Sequence, residues 1–188
     1  MNINMNKNNI NYEFDYIAYS YVKGFVKRWR NKVKSNKDEK IYVFDKFIAE
    51  YIIYSSLVNV IKPAKMKANH DFEFCTNQMR KYMLDNVVNL EILLTEIDSF
   101  VKDLGKIIKE QNYTVISNKG NDPLLFEKWE STNTDERLKA LLETLYYLRC
   151  NIFHGAKEFS NNQVALLSPA GKALEVINNT ILSTFREC

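Results

Sequence analysis

Apolar residues recur at three- and four-residue steps through most of the chain, the spacing of one face of an α-helix. A first helix is predicted from Tyr12 to Lys34, with Phe14, Ile17, Tyr21, Phe25, Trp29 and Val33 as its apolar stripe. A polar break, Ser35 to Lys40, separates it from a second helix over Ile41 to Ile61. That helix carries Phe44, Ile48, Tyr51, Ile52, Ser55 and Val58 on one side. Lys62-Pro63 ends it, because the residue before a proline is pushed out of the α region. Asp71 is a cap for a short third helix through Leu84. The cleanest stripe follows: Val87, Leu90, Leu94, Ile97, Val101, Leu104 and Ile108 alternate steps of three and four.

Residues 112–122 read as a loop, ending in the turn chemistry of Asn118-Lys119-Gly120-Asn121-Asp122-Pro123. A short helical piece from Pro123 to Glu130 follows it. Asn133 with Glu136 forms a capping-box pattern and opens a fifth major helix running to about His154, where Gly155 supplies the left-handed stop. Ser168-Pro169 reads as a cap and first-turn proline opening the last helix, with Leu174, Ile177, Ile181 and Phe185 turned inward. The expectation is an all-α fold, an antiparallel helical bundle of about five to six helices. Residues 1–11 form a flexible N-terminal lead and 12–188 a single domain.

Composition narrows the picture further. Of 188 residues, 46% are hydrophobic and 13% aromatic, which supports a packed core and excludes a disordered chain. Five Gly and three Pro are few for a fold built on tight turns. The net charge of +3 permits a nucleic-acid partner without demanding one. The abundance of Asn, Lys and Ile suits an AT-rich coding sequence, so part of the basic balance is composition bias. Cys75, Cys150 and Cys188 suggest neither a disulfide framework nor a zinc site. No apolar leader and no run of 18 apolar residues is present, so no membrane partner is expected and a reducing cytoplasm is the default.

One position breaks the apolar logic. On an ideal wheel, Leu138, Leu141, Leu142, Leu145, Leu148, Ile152 and Phe153 share an arc, and Arg149 falls in its middle. An unpaired guanidinium on such a stripe is costly, so Arg149 needs a carboxylate, a carbonyl array or an anionic ligand. Glu143, Tyr147, Cys150, Asn151 and His154 cluster opposite. His154 stands in the last turn, where the helix dipole favours an imidazolium by about 0.3–1 kcal/mol. That placement suits general acid–base work, and it also suits a plain helix cap.

The run Leu148-Arg149-Cys150-Asn151-Ile152-Phe153-His154-Gly155-Ala156-Lys157 resembles the signature of the HEPN superfamily, an Arg and a His separated by four to six residues. Here four lie between them. The resemblance extends over residues 40–187, loosely outside the motif: an aromatic-rich early helix, long middle helices, the motif late, then one closing helix. It implies a helical, often dimeric, metal-independent and cofactor-free ribonuclease of the toxin or antiviral-defence kind, restrained by an antitoxin or regulatory protein. His154 would transfer protons, Arg149 would hold the phosphate and Asn151 would orient, leaving 2′,3′-cyclic phosphate ends. Many members carry a polar residue directly after the Arg. This chain has Cys150 there, and a catalytically inactive HEPN module binding a partner protein or RNA is the alternative.

Residues five apart lie about 140° apart on a helix. Arg149 and His154 therefore converge only if the helix unwinds after Phe153, if Arg149 reaches round, or if the site forms across a homodimer. Lys23, Lys27, Arg30 and Lys34 share one face of the first helix and, with Lys157, are candidates for tracking an RNA backbone. A solvated face opposite the aromatic stripe is the simpler reading of those residues. Cys150 and His154 share a face, but a small half-buried Cys is the simpler reading than a thiolate–imidazole dyad. His70 beside Asp71 has no Cys nearby and makes no zinc site.

Overall fold

The computed structural model describes residues 16–35, 37–61, 71–110, 127–153 and 161–185. These residues are helical apart from short connections, and no strand occurs among them. The helices are α1 (Tyr16–Lys34), α2 (Glu39–Ile61), α3 (Asp71–Glu73), α4 (Met79–Asn86), α5 (Leu90–Glu110), α6 (Thr134–Phe153) and α7 (Asn161–Thr184). A π-helical turn, Phe74–Gln78, joins α3 to α4. The fold is the expected helical bundle. Its count of seven described α-helices runs slightly above five to six because the π turn divides the third rod.

Helices α2, α5 and α7 form the heart of the molecule, with α1 laid on α2 and α6 against the π turn and α4. Gly171 lets α2 and α7 approach closely: a Cβ there would stand 3.5 Å from Phe47 Cα. The α5 stripe holds from Leu90 through Leu94, Ile97, Val101, Leu104 and Ile108, all buried. Val87 falls outside it, in extended backbone just after α4.

Three expectations need correction. Among the described side chains of α1, Val33 is buried and Phe25 packs on the core as expected, but Val22 and Val26 are buried too and Tyr21 is 74% exposed. The helix is rotated from the aromatic stripe because Arg30, on the Val22–Val26 side, is drawn in to Glu50 of α2. In α2 Tyr51 and Val58 are buried as expected, but burial is nearly all round: Phe47, Tyr54 and Leu57 are fully buried while Phe44, Ile48, Ile52 and Ser55 are only half-buried. A helix covered on several sides has no single stripe to read. In α7, Ser168-Pro169 does not open the helix, which begins at Asn161 and carries Pro169 inside. Leu166 and Leu167 are buried one turn earlier. At about 2 kcal/mol each, their burial offsets the roughly 3 kcal/mol cost of an interior proline. Leu174, Ile177 and Ile181 are buried as expected.

The start of α6 is fixed from several directions. Asn133 Oδ1 accepts the Asp135 amide at 2.9 Å, the expected cap. The reach-back to the Asn133 amide runs through Ser131, whose Oγ accepts that amide at 3.1 Å and donates to Glu136 at 2.7 Å. Arg80 Nη1 holds both carboxylate oxygens of Asp135 at 2.7 and 2.6 Å, and Arg137 Nη1 reaches Glu91 at 3.3 Å. These contacts set the axis along which Arg149 is carried, four turns later.

Candidate functional site

The apolar face of α6 is laid down by Leu138, Leu141, Leu142, Leu145 and Leu148, all buried. Arg149 follows one turn before the described end of the helix, its side chain 27% exposed. Tyr146 and Phe153 lie three residues before and four after it, so they share its face. Their ring centroids stand 5.9 and 5.0 Å from the guanidinium carbon, and Tyr51 of α2 adds a third ring at 5.7 Å. Phe153, expected on the apolar arc, is 53% exposed.

Among the described residues, two partners face the guanidinium. Nη1 lies 3.2 Å from Asp71 Oδ2 and 3.8 Å from Cys150 Sγ. Nε is buried and makes no hydrogen bond. Burial lowers the Arg149 pKa, but the Cys150 contact with Tyr51 and Asp71 outweighs it, and the net displacement is upward. The cation therefore stays charged.

Asp71 reaches Arg149 because of the π turn that follows it. Tyr54 of α2 donates its hydroxyl to the Cys75 carbonyl, fastening the turn to the core. Thr76 Oγ1 donates to the Phe72 carbonyl at 2.6 Å, and Asn77 and Gln78 donate to the Glu73 carboxylate. Phe72 meets Tyr146 edge-on at 5.1 Å and Tyr147 at 5.8 Å, clasping the start of α3 to α6. Cys75 is buried and its thiol donates to Asp71 Oδ1 at 3.5 Å. Burial first, and the facing Asp71 carboxylate second, push this thiol up to about 12. Burial likewise raises Tyr51 and Tyr146, the first beside Cys75 and the second beside Cys150.

Asn151 projects to the other side of α6 and is only 7% exposed. The face expected to be polar is half-buried instead, because the π turn and its flanking helices pack on α6. His154 and Lys157 lie outside the described residues, as do Gly155 and His70. On α1, Lys23, Lys27 and Lys34 are exposed. Arg30 leaves that set: Nε and Nη2 donate to the two Glu50 oxygens at 2.7 and 2.9 Å. Among the described residues, no three His, Cys, Asp or Glu side chains gather into a metal-binding group. No described helix is long and apolar enough to cross a membrane.

Sequence reading missed Asp71 as a partner, assigning it only a capping role. It also missed Tyr51, placed on a core stripe. Asp71 did carry a signal, as an acidic residue starting a helix whose next positions, Phe72 and Phe74, are aromatic. The chain matches no family model, no curated protein and no solved structure.

Proposed function

We propose that this chain is a metal-independent endoribonuclease of the HEPN type, acting through Arg149 and His154. The observation that carries the reading is Arg149 itself. It is a charged, partly exposed guanidinium among aromatic rings, held by one carboxylate contact and with hydrogen-bonding capacity unused. Such a fork suits a phosphodiester, which offers two oxygens to it. His154, five residues on, is the proton carrier.

In the reaction the 2′-hydroxyl gives up its proton as its oxygen bonds to phosphorus. Arg149 neutralises the charge that builds on the phosphoryl oxygens. The bond to the 5′-oxygen breaks and that oxygen takes a proton, leaving a 2′,3′-cyclic phosphate and a 5′-hydroxyl. The reading includes a homodimer acting in the cytoplasm, as a toxin or antiviral effector kept silent by an inhibitory protein.

The test is cleavage of mixed RNA in EDTA by the wild type, Arg149→Ala and His154→Ala. Cleavage by the wild type alone, with cyclic phosphate ends, is the expected result. Cleavage that EDTA abolishes, or that survives in both variants, overturns the reading. One observation favours a second reading, an inactive module that binds RNA or a partner protein. Cys150 Sγ sits 3.8 Å from Arg149 Nη1, so a thiol takes the place where a polar group would assist the arginine. Tight RNA binding without cleavage by the wild type is the outcome that selects it.

A further inference from the structure

We propose that Asp71 is the resting counter-ion of Arg149, holding the place that a phosphate of a bound polyanion takes. Asp71 then sets how tightly the site grips RNA. The inference rests on the ribonuclease reading and adds to it a residue outside the Arg–His motif.

A partly buried guanidinium needs an anion nearby, and among the described residues Asp71 is the carboxylate that faces it. The contact is a poor one for an arginine. One nitrogen meets one oxygen at 3.2 Å, the carboxylate is 52% exposed, and Nε stays unpartnered. Elsewhere in the same molecule Arg30 grips Glu50 with both arms of its fork at 2.7 and 2.9 Å. A half-exposed, single-contact ion pair is weak and exchangeable. A phosphodiester can engage two donors at once and displace it. Once displaced, Asp71 is not stranded, because its exposed oxygens reach water and Oδ1 keeps the Cys75 thiol at 3.5 Å. Exchange therefore costs little, yet Asp71 competes with every incoming phosphate.

The sign of the effect separates this role from a structural one. A supporting or positioning carboxylate loses RNA affinity when neutralised, whereas a competing one gains it. Affinity is measured for a single-stranded 2′-O-methyl oligonucleotide, which has no free 2′-hydroxyl to react, in EDTA and at low salt. The full chain is compared as wild type, Asp71→Asn, Arg149→Ala and the double variant. Asp85→Asn, an exposed neutralisation on α4, controls for general charge. Asp71→Asn should bind about two- to fivefold tighter, and Asp85→Asn should change Kd less than twofold. The Asp71→Asn gain should vanish in the Arg149→Ala background. Asp71→Ser should shift Kd in the same direction, which guards against an effect peculiar to the amide.

Weaker binding by Asp71→Asn, or a gain that persists without Arg149, overturns the inference while leaving the ribonuclease reading intact if the wild type cleaves RNA. A wild type that neither binds this strand nor cleaves RNA removes both.

Discussion

Arg30 and Arg149 each rise from a helix whose neighbouring positions are apolar, and each finds a carboxylate. Arg30 meets Glu50, which is 2% exposed, through two parallel contacts, and its Nη1 donates to Asn179 at 2.9 Å. Asn178, fully buried on α7, donates to the Glu50 carbonyl and carboxylate, both at 2.9 Å. The fork is used on every side, and three helices are tied together by it. Arg149 makes one ion-pair contact with a half-exposed Asp71 and leaves its buried Nε unpaired among three rings. A satisfied arginine holds architecture together, and an under-satisfied one keeps hydrogen-bonding capacity in reserve.

The comparison breaks first at Glu50. Replacing it by Ala strips the half-buried Arg30 of its hydrogen-bonded carboxylate, leaving only the charge of Glu175 nearby, and should cost about 3 kcal/mol. Urea unfolding followed by circular dichroism reads this directly. The double replacement Arg30→Met with Glu50→Leu should recover most of the loss, since no unpaired charge remains. A cost below about 1 kcal/mol for Glu50→Ala would place Arg30 with ordinary surface pairs and dissolve the contrast.

The surroundings of Arg149 are sharpened by alkali. The Cys75 thiol is raised to about 12, against roughly 8.5 in an unfolded chain. Above pH 9 the unfolded state has released this proton and the native state keeps it, so stability falls as pH rises. The contribution is complete below the unfolded value and is lost through the window from about pH 9 to 12. One such group gives about 1.2 kcal/mol of loss between pH 9 and pH 10. Tyr51 and Tyr54, raised by burial, join above pH 10. Cys75→Ala should flatten the stability profile between pH 9 and pH 10 by about that amount. An unchanged slope would mean that the thiol opens to solvent before the protein unfolds.

What the sequence made legible follows the same division. The stripe of α5 was readable because that helix hides one face, and the leucines of α6 because they form its most deeply buried side. Arg149 was readable as an anomaly on its own helix. Arg30 was not, because its face was judged by the lysines around it instead of by Val22, Val26 and Val33, which share its side. Glu50 held the missing clue, as the one charged residue in the apolar run from Phe47 to Ile61. Asp71 was legible only as a helix start. Its meeting with Arg149 depends on the π turn and on Phe72 packing against Tyr146, which no local periodicity encodes. Pro169 misled because local turn chemistry was weighed without the burial of Leu166 and Leu167.

The smallest expected effect is the most discriminating. Arg149→Ala removes one ion pair whose carboxylate is half-exposed and three guanidinium–ring contacts, and it also removes a buried Nε that has no partner. The losses amount to roughly 0.5–1 kcal/mol for each kind of contact. Relief of the unpaired Nε opposes them, because an unsatisfied buried donor costs about 1–3 kcal/mol. The net change in unfolding free energy should then stay within about 1 kcal/mol of the wild type, of either sign, in the same urea titration used for Glu50→Ala. A folded, near-wild-type Arg149→Ala that has lost RNA cleavage assigns the residue to chemistry. A loss of 3 kcal/mol or more would make Arg149 a second Arg30, and the site would then be a buried ion pair of a helical scaffold.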